Sequence, residues 1–298
     1  MTTPPHPDRR ILLVHAHPDD ETIATGVTMA RYAAEGAQVV LVTCTRGEEG
    51  EVLVPHLEHL SAQAGDRLGE HRETELAEAM ERLGVTDHRF LGGEGRYRDS
   101  GMMGTPSNER PDAFWRADLL EASTPLVAII REVRPQVLVT YDDFGAYGHP
   151  DHIQAHRVAT YATALAAAAS FRADLGAAWD VPKLYWTALP KSFIQRGIDA
   201  VIAAGGTAFF GLESGDDLPW ATDDDQVTTQ IDGRAFESAK MAALRAHVSQ
   251  VEADNDFFAV AELVGPEAMG YEFFRIAKGV LGPLGESGFE DDLFSGLR

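Results

Sequence analysis

The chain carries a single cysteine, Cys44, in 298 residues, which excludes an internal disulfide and with it the class of small domains stapled by cross-links. In the apolar stretch VVLVTCT that thiol reads as a small hydrophobe rather than a nucleophile or metal ligand. Basic residues are also scarce. Against 47 Asp and Glu there are 25 Lys and Arg, a net charge of −22, so no basic patch is available for a phosphate backbone and the surface repels anionic lipid. Neither nucleic acid nor a membrane is expected as a partner, and the acids, spread along the chain, read as a solvated surface. No apolar run approaches the roughly 20 residues of a membrane helix: ATALAAAAS is short and follows the polar HIQAHR. The start MTTPPHPDRR lacks the basic-then-apolar order of a secretion signal, so a cytoplasmic location is expected. Internal repeats and low-complexity linkers are missing. The only glycine-rich candidate for a dinucleotide turn, GGEG, follows the third strand with no helix opening behind it, which argues against a nicotinamide or flavin cofactor.

What is present is an alternation of strand-like and helix-like segments. RILLV, QVVLVTCT, HRFLG and QVLVTYD read as strands. TIATGVTMARYAAEG, SAQAGDRLGEHRETELAEAMERLG, TPLVAIIREVRP and PDHIQAHRVATYATALAAA read as the helices between and after them, the first stopped by Gly36. The expected fold class is α/β: a mainly parallel, Rossmann-like sheet flanked by helices, with a smaller mixed C-terminal elaboration. Residues 1–170 form the expected metal-binding core. Residues 171–298 form the elaboration, expected to help shape the substrate cleft, with KLYWTAL, VTTQI and GYEFFRIAKG as strands and FESAKMAALRAHVSQV as a helix. Leu91 to Pro111 is a long glycine-rich stretch without periodicity, and such loops in compact domains are often functional. The acidic run at Asp216, Asp217 and Asp223 to Asp225 reads as an exposed loop.

In an open parallel sheet, ligands gather where the strands end at their carboxyl sides. After the first strand come His15, His17, Asp19, Asp20 and Glu21; after the strand VLVTY come Asp142, Asp143, Tyr147, His149, Asp151, His152 and His156. Two such clusters brought to one crevice point to a metal. Imidazole and carboxylate suit zinc, with iron as the other candidate, and a catalytic zinc takes three protein ligands and leaves a position open. Pro18 and Pro150 stiffen the two turns. Spacing alone does not choose the ligands, and His152 and His156, four residues apart on a helix, could both face one ion.

The paired motifs AHPDDE and GHPDH, the second within TYDDFGAYGHPDH, resemble those of the zinc-dependent de-N-acetylases that act on N-acetylglucosaminyl lipids and inositol conjugates. Within that family the chain is most similar to the deacetylases of mycothiol biosynthesis, through VTCTRGEEGEV, LGGEGRYRDSGMMGT, IIREVRPQVLVTYD and LRAHVSQV. The resemblance is weakest across about Phe171 to Asp225. It implies that His17, Asp20 and His152 hold the metal and that Asp19 is the general base. It further implies that Tyr147 and His149, the latter oriented by Asp151, serve the transition state, and that Arg72 and Asp99 contact the hydroxyls of a glycosyl-inositol substrate. His15 and His156 have no role in that pattern.

The chemistry is consistent with these roles. An amide carbonyl is a poor electrophile, and a metal both polarises it and lowers the pKa of water. Asp19, next to a ligand without being one, is placed to accept the water proton. Tyr147 and a protonated His149 can stabilise the oxyanion, with Asp151 raising the pKa of His149. The expected reaction is hydrolysis of the N-acetyl group of N-acetylglucosaminyl inositol. Two alternatives stand beside it: an amidase for mycothiol S-conjugates, and a non-catalytic, metal-stabilised sugar-binding module.

Overall fold

A computed structural model of the chain describes residues 6–206, 211–252 and 255–297. Its centre is made of the three most apolar runs. β1 (Arg10–His15), β2 (Gln38–Thr43) and β4 (Val137–Thr140) lack polar alternation because both of their faces are covered. Leu12, Val14, Val40, Val42 and Leu138 face one way, onto α3 (Leu119–Val133) and α5 (Pro150–Ala167). Ile11, Leu13, Val39, Leu41, Val137 and Val139 face the other way, onto α1 (Asp20–Ala34), α2 (Leu68–Leu83) and α7 (Glu237–Leu244). Each such aliphatic side chain removed from water stabilises the fold by about 1.5–3 kcal/mol.

The remaining strands are β3 (Asp87–Phe90), β5 (Lys183–Ala188), β6 (Thr229–Asp232) and β7 (Tyr271–Lys278). They complete one seven-stranded sheet of order β3-β2-β1-β4-β5-β7-β6. Pairing is parallel from β3 to β5, and antiparallel for β5 with β7 and β6 with β7. The fold is therefore a mainly parallel α/β sheet with helices on both faces. The sheet runs unbroken past residue 170, since β5, β7 and β6 join the same hydrogen-bonded array. The rest of the chain adds α6 (Lys191–Ala203), α8 (Asp256–Val264), the single turn α9 (Pro266–Met269) and, before α5, the irregular turn α4 (Gly145–Gly148). No helix among the described residues is long and apolar enough to cross a membrane.

The chain leaves β1 to build β2 and β3 on one side, then crosses over to place β4 on the other. That reversal opens a crevice between the ends of β1 and β4.

Two helices are shorter than their patterns predict. α2 starts at Leu68, not near Ser61, because Pro55–Leu60 makes a 3-10 turn and Asp66 adopts φ 51. α7 stops at Leu244, although the helical pattern continues to Val251. Beyond it the Glu75 carboxylate accepts the Ser249 N–H and hydroxyl at 2.7 Å each, holding the chain in turns. α6 and α8 appear where the sequence pattern read as irregular.

Candidate active site

The turn between β1 and α1 supplies His17, Asp19 and Asp20, and the start of α5 supplies His149, Asp151 and His152. Pro150 occupies the first position of α5, where a missing N–H is harmless, and the following turn of helix aims His152 across the crevice. Gly145, at φ +68, lets α4 lie against this helix: a Cβ there would come within 2.7 Å of the His152 Cβ.

His17, Asp20 and His152 converge. The Asp20 Oδ2 lies 3.3 Å from His17 Nδ1 and 3.3 Å from His152 Nε2, and all three side chains are buried or nearly so. Asp20 is held by two donors, the His17 N–H at 2.9 Å and the Tyr141 hydroxyl at 2.8 Å. His152 is 2% exposed, yet among the described residues neither of its ring nitrogens has a hydrogen-bond partner. Buried polar atoms are rarely left so. Electrostatics at this point favours positive charge. Burial works against a charge on His17, but Asp99, Asp151 and Asp20 outweigh it and hold the imidazole well above its usual pKa. Burial alone would raise Asp20, yet His152 and His17 hold it well below the ordinary carboxylate range. An imidazole without a hydrogen bond, a second imidazole and an ionised carboxylate, ringed by further acids, are a donor set that fits a metal ion. His17, His149 and His152 also lie close enough together to share one.

Asp151 does not orient His149 with its carboxylate. Asp151 Oδ2 accepts from His17 Nε2 at 3.2 Å and from the Ser100 N–H at 2.8 Å, and Oδ1 accepts from the Ser100 hydroxyl. The loop carrying Ser100 pulls the carboxylate toward His17, where it fixes the ring as carboxylates commonly fix ligating histidines. His149 receives instead the Asp151 backbone N–H on Nδ1, at 3.1 Å. A backbone N–H can only donate, so Nδ1 is unprotonated and the ring's proton sits on Nε2. In keeping with this, burial, with His17 and His152 close by, pushes His149 down to about 3, the opposite of the expected rise.

Asp19 stands apart from the donor set. Burial lifts its pKa to about 6 despite the opposing pull of Arg72. Its backbone has φ 106 and ψ −34, a region non-glycine residues avoid. Arg72 and Asp99 do not pair with each other. Arg72 is buried on α2 and lies 3.2 Å from the Asp19 carboxylate, while donating to Pro18 O and, at 2.9 Å, to Gly47 O. Its contacts are to Asp19 and to two backbone carbonyls rather than to solvent. Asp99 lies 3.5 Å from His17 Nε2 and accepts the Gly101 N–H at 2.8 Å and the Glu49 N–H at 3.2 Å. Both ends of its carboxylate are thereby fixed inside the long glycine-rich loop.

Tyr147 is half-exposed at the mouth, its ring edge-on to His152 at 4.9 Å, and loss of solvent around its hydroxyl, with Asp20 near, pushes its pKa up. His15 is fully buried, bonded to Tyr141 and Thr25, and held down to about 4 by burial. His156 meets the Tyr141 carbonyl and the Trp186 ring, so it does not share an ion with His152. Sequence reasoning missed Tyr141, whose ring stacks on His152 at 4.2 Å while its hydroxyl holds Asp20, and Ser100, which anchors Asp151. The signal for Tyr141 was its place at the end of β4, beside β1.

A cavity of about 540 Å³ opens from Asp19, Asp20, Tyr147 and His152. Its far wall comes from residues beyond 170 and is mainly apolar, with Phe193, Leu212, Leu218, Trp220 and Phe273 beside the charged Lys240 and Glu272.

Residues 12–163 match the family model described as GlcNAc-PI de-N-acetylase. The chain is 58% identical over 292 residues to a 1D-myo-inositol 2-acetamido-2-deoxy-alpha-D-glucopyranoside deacetylase of Geodermatophilus obscurus, covering 98% of this chain and 99% of that one. It is 59% identical over 290 residues to a deacetylase of the same description from Catenulispora acidiphila, covering 97% and 90%. Among solved structures, the N,N'-diacetylchitobiose deacetylase of Pyrococcus horikoshii superposes with a TM-score of 0.61 at 19% identity, over 91% of this chain and 84% of that one, a likeness of fold.

Proposed function

The chain belongs to the GlcNAc-PI de-N-acetylase family, and from that premise we infer that it hydrolyses the N-acetyl group of 1D-myo-inositol 2-acetamido-2-deoxy-α-D-glucopyranoside, releasing acetate and the free amine in mycothiol biosynthesis. It is a hydrolase acting on an amide bond. The observation that carries the reading is His152, buried with neither ring nitrogen hydrogen-bonded among the described residues and with Nε2 3.3 Å from the Asp20 carboxylate. His17, Asp20 and His152 are the residues assigned to a zinc ion, with iron as the alternative. When bound, the metal supplies Lewis acidity to the amide carbonyl and lowers the pKa of water beside it.

The side chains do the rest. Asp19, at a pKa of about 6, is matched to accept a proton from the attacking water near neutrality. Arg72 keeps its carboxylate turned to that task. The neutral His149 presents its Nε2–H, and Tyr147 its hydroxyl, to the oxygen that gains negative charge as the carbonyl carbon becomes tetrahedral. Asp19, now carrying the water proton, returns it to the departing amine. Asp99 keeps a lone pair on each oxygen and is assigned to the hydroxyls of the sugar–inositol; the wall contributed by residues beyond 170 closes the cavity that opens from Asp19, Asp20, Tyr147 and His152.

A second reading, cleavage of mycothiol S-conjugates, is favoured by the apolar far wall of the cavity, which suits the non-polar group such an acyl chain carries. One experiment separates the readings. Zinc-loaded protein is incubated with the acetylated glucosaminyl-inositol and with a mycothiol S-conjugate, and free amine is quantified. Faster release from the acetylated sugar is expected. Faster cleavage of the conjugate would move the assignment to the amidase, and no amine from either would leave a sugar-binding module.

A further inference from the structure

Behind the base lies a second buried pair that the proposed chemistry does not use. The segment LRAHVSQV leaves α7 and turns His247 inward until its ring is 0% exposed. Its Nε2 donates to Glu21 Oε1 at 3.1 Å, and Glu21 is likewise 0% exposed. The other carboxylate oxygen, Glu21 Oε2, accepts the backbone N–H of Asp19 at 2.9 Å. A hydroxyl, Thr22 Oγ1, gives Oε1 a further donor at 2.5 Å. The N–H that Glu21 captures belongs to the one residue of this turn with positive φ, Asp19 at φ 106. Strained backbone of this kind persists only where its surroundings over-determine it.

We propose that Glu21 and His247 are positioning residues: His247, delivered by the part of the chain beyond residue 170, fixes the Glu21 carboxylate, which holds the Asp19 backbone in the conformation that presents its side chain to the reacting water. This rests on the reading of Asp19 as the base. The arrangement has the marks of a device for orientation rather than general stability. Both partners are sealed from solvent, so neither can meet substrate. Among the described residues His247 Nδ1 has no hydrogen-bond partner, so the ring is buried with one polar atom unmet. Among the described residues, its only bonded side-chain partner is the carboxylate that reaches the Asp19 N–H. The turn that carries it is separately anchored, by Ser249 on Glu75, so the turn does not need His247 to stay in place.

The test is a double-mutant cycle on the zinc-loaded full chain. His247→Ala is expected to lower kcat about tenfold, with KM and bound zinc unchanged, since a group acting only on the transition state lowers kcat without touching ground-state binding. His247→Gln, which keeps an N–H donor within reach of Glu21, is expected to recover most of the rate. In an Asp19→Asn background the same His247→Ala substitution is expected to have no further effect, because residues that act through one another are not additive. If His247→Ala does not fold, Glu21→Asp, which draws the carboxylate back by one methylene, replaces it in the cycle. Equal losses in both backgrounds, or unchanged kcat in the single variant, would overturn the proposal. Full turnover by Asp19→Asn alone would instead remove Asp19 as the base, a failure of the underlying reading that the cycle reports separately.

Discussion

The guanidinium of Arg72 and the carboxylate of Asp19 meet at 3.2 Å, with Arg72 only 3% exposed and Asp19 18%. The same guanidinium is fixed by two carbonyls, Pro18 O and Gly47 O. A lysine offers a point charge without this planar fork, so Arg72→Lys is expected to lower kcat about tenfold or more while leaving bound metal and KM near their original values. Steady-state kinetics with metal analysis decides it. A rise in KM at constant kcat would return Arg72 to the substrate.

Gly47 makes that contact possible. It sits at φ +69, and a Cβ on it would lie 2.0 Å from Arg72 Nη1. Gly47→Ala must therefore both strain the backbone and displace the guanidinium. A stability loss of about 1–3 kcal/mol is expected, seen as a lowered Tm, together with a fall in kcat. In an Arg72→Ala background the clash is gone, so the same substitution should cost distinctly less stability. Equal costs in both backgrounds would show that φ alone matters.

Removing one oxygen tests the support beneath the metal site. The Tyr141 hydroxyl donates to Asp20 at 2.8 Å and accepts the Ala16 N–H at 2.9 Å. Tyr141→Phe keeps the ring stacked on His152 but frees the carboxylate, and loss of such an outer contact typically weakens metal affinity by about 10–100-fold. Competition with a chelator measures it. Unchanged affinity would mean that Asp20 is held well enough by the His17 N–H alone.

The division of labour within the turn predicts opposite outcomes for neighbouring residues. Asp19→Asn should keep its metal and lose turnover by about a hundredfold or more, the usual consequence of removing a general base. Asp20→Asn and His152→Ala should lose metal and activity together. Metal content of the purified variants is the measurement, and a metal-free Asp19→Asn would exchange the roles of the two aspartates.

Far from the cleft, Lys183 and Glu290 form a pair 1% and 0% exposed, at 2.6 Å. Glu290 also accepts from the Tyr185 hydroxyl and from Thr229. Breaking a buried pair leaves an uncompensated charge, so Glu290→Gln should destabilise by about 3–5 kcal/mol with kcat unchanged at temperatures where the variant is folded. Chemical denaturation reads the first and kinetics the second.

How much of this was legible in the sequence depended on where the information lay. β1, β2 and β4 were visible because strands buried on both faces must be apolar throughout. The His and Asp cluster was visible because two dense polar turns follow two of those strands, and the order of a parallel sheet brings their ends together. α6 and α8 were not, and α7 ran too far in the reading, because contacts such as Ser249 on Glu75 override local periodicity. The contacts of Arg72 with Asp19 and of Asp151 with His17 were hidden for the same reason. A side chain's type can be read from sequence, but whether Asp151 serves His149 two residues away or His17 across the crevice depends on where Ser100 lies. Tyr141 acts on Asp20 from 121 residues away, and His247 on Glu21 from 226; no window on the chain contains either pair.

The position of β7 between β5 and β6 fixes an order of assembly. β6 is made first but has no strand to pair with until β7 follows, because β7 is the strand that joins it to the sheet. During synthesis, then, the growing sheet ends at β5, whose open edge is an invitation to wrong partners until the chain has emerged past residue 278. Lys183 on β5 meets its carboxylate later still, because Glu290 follows β7 in the chain, so this ion pair closes only on a finished sheet.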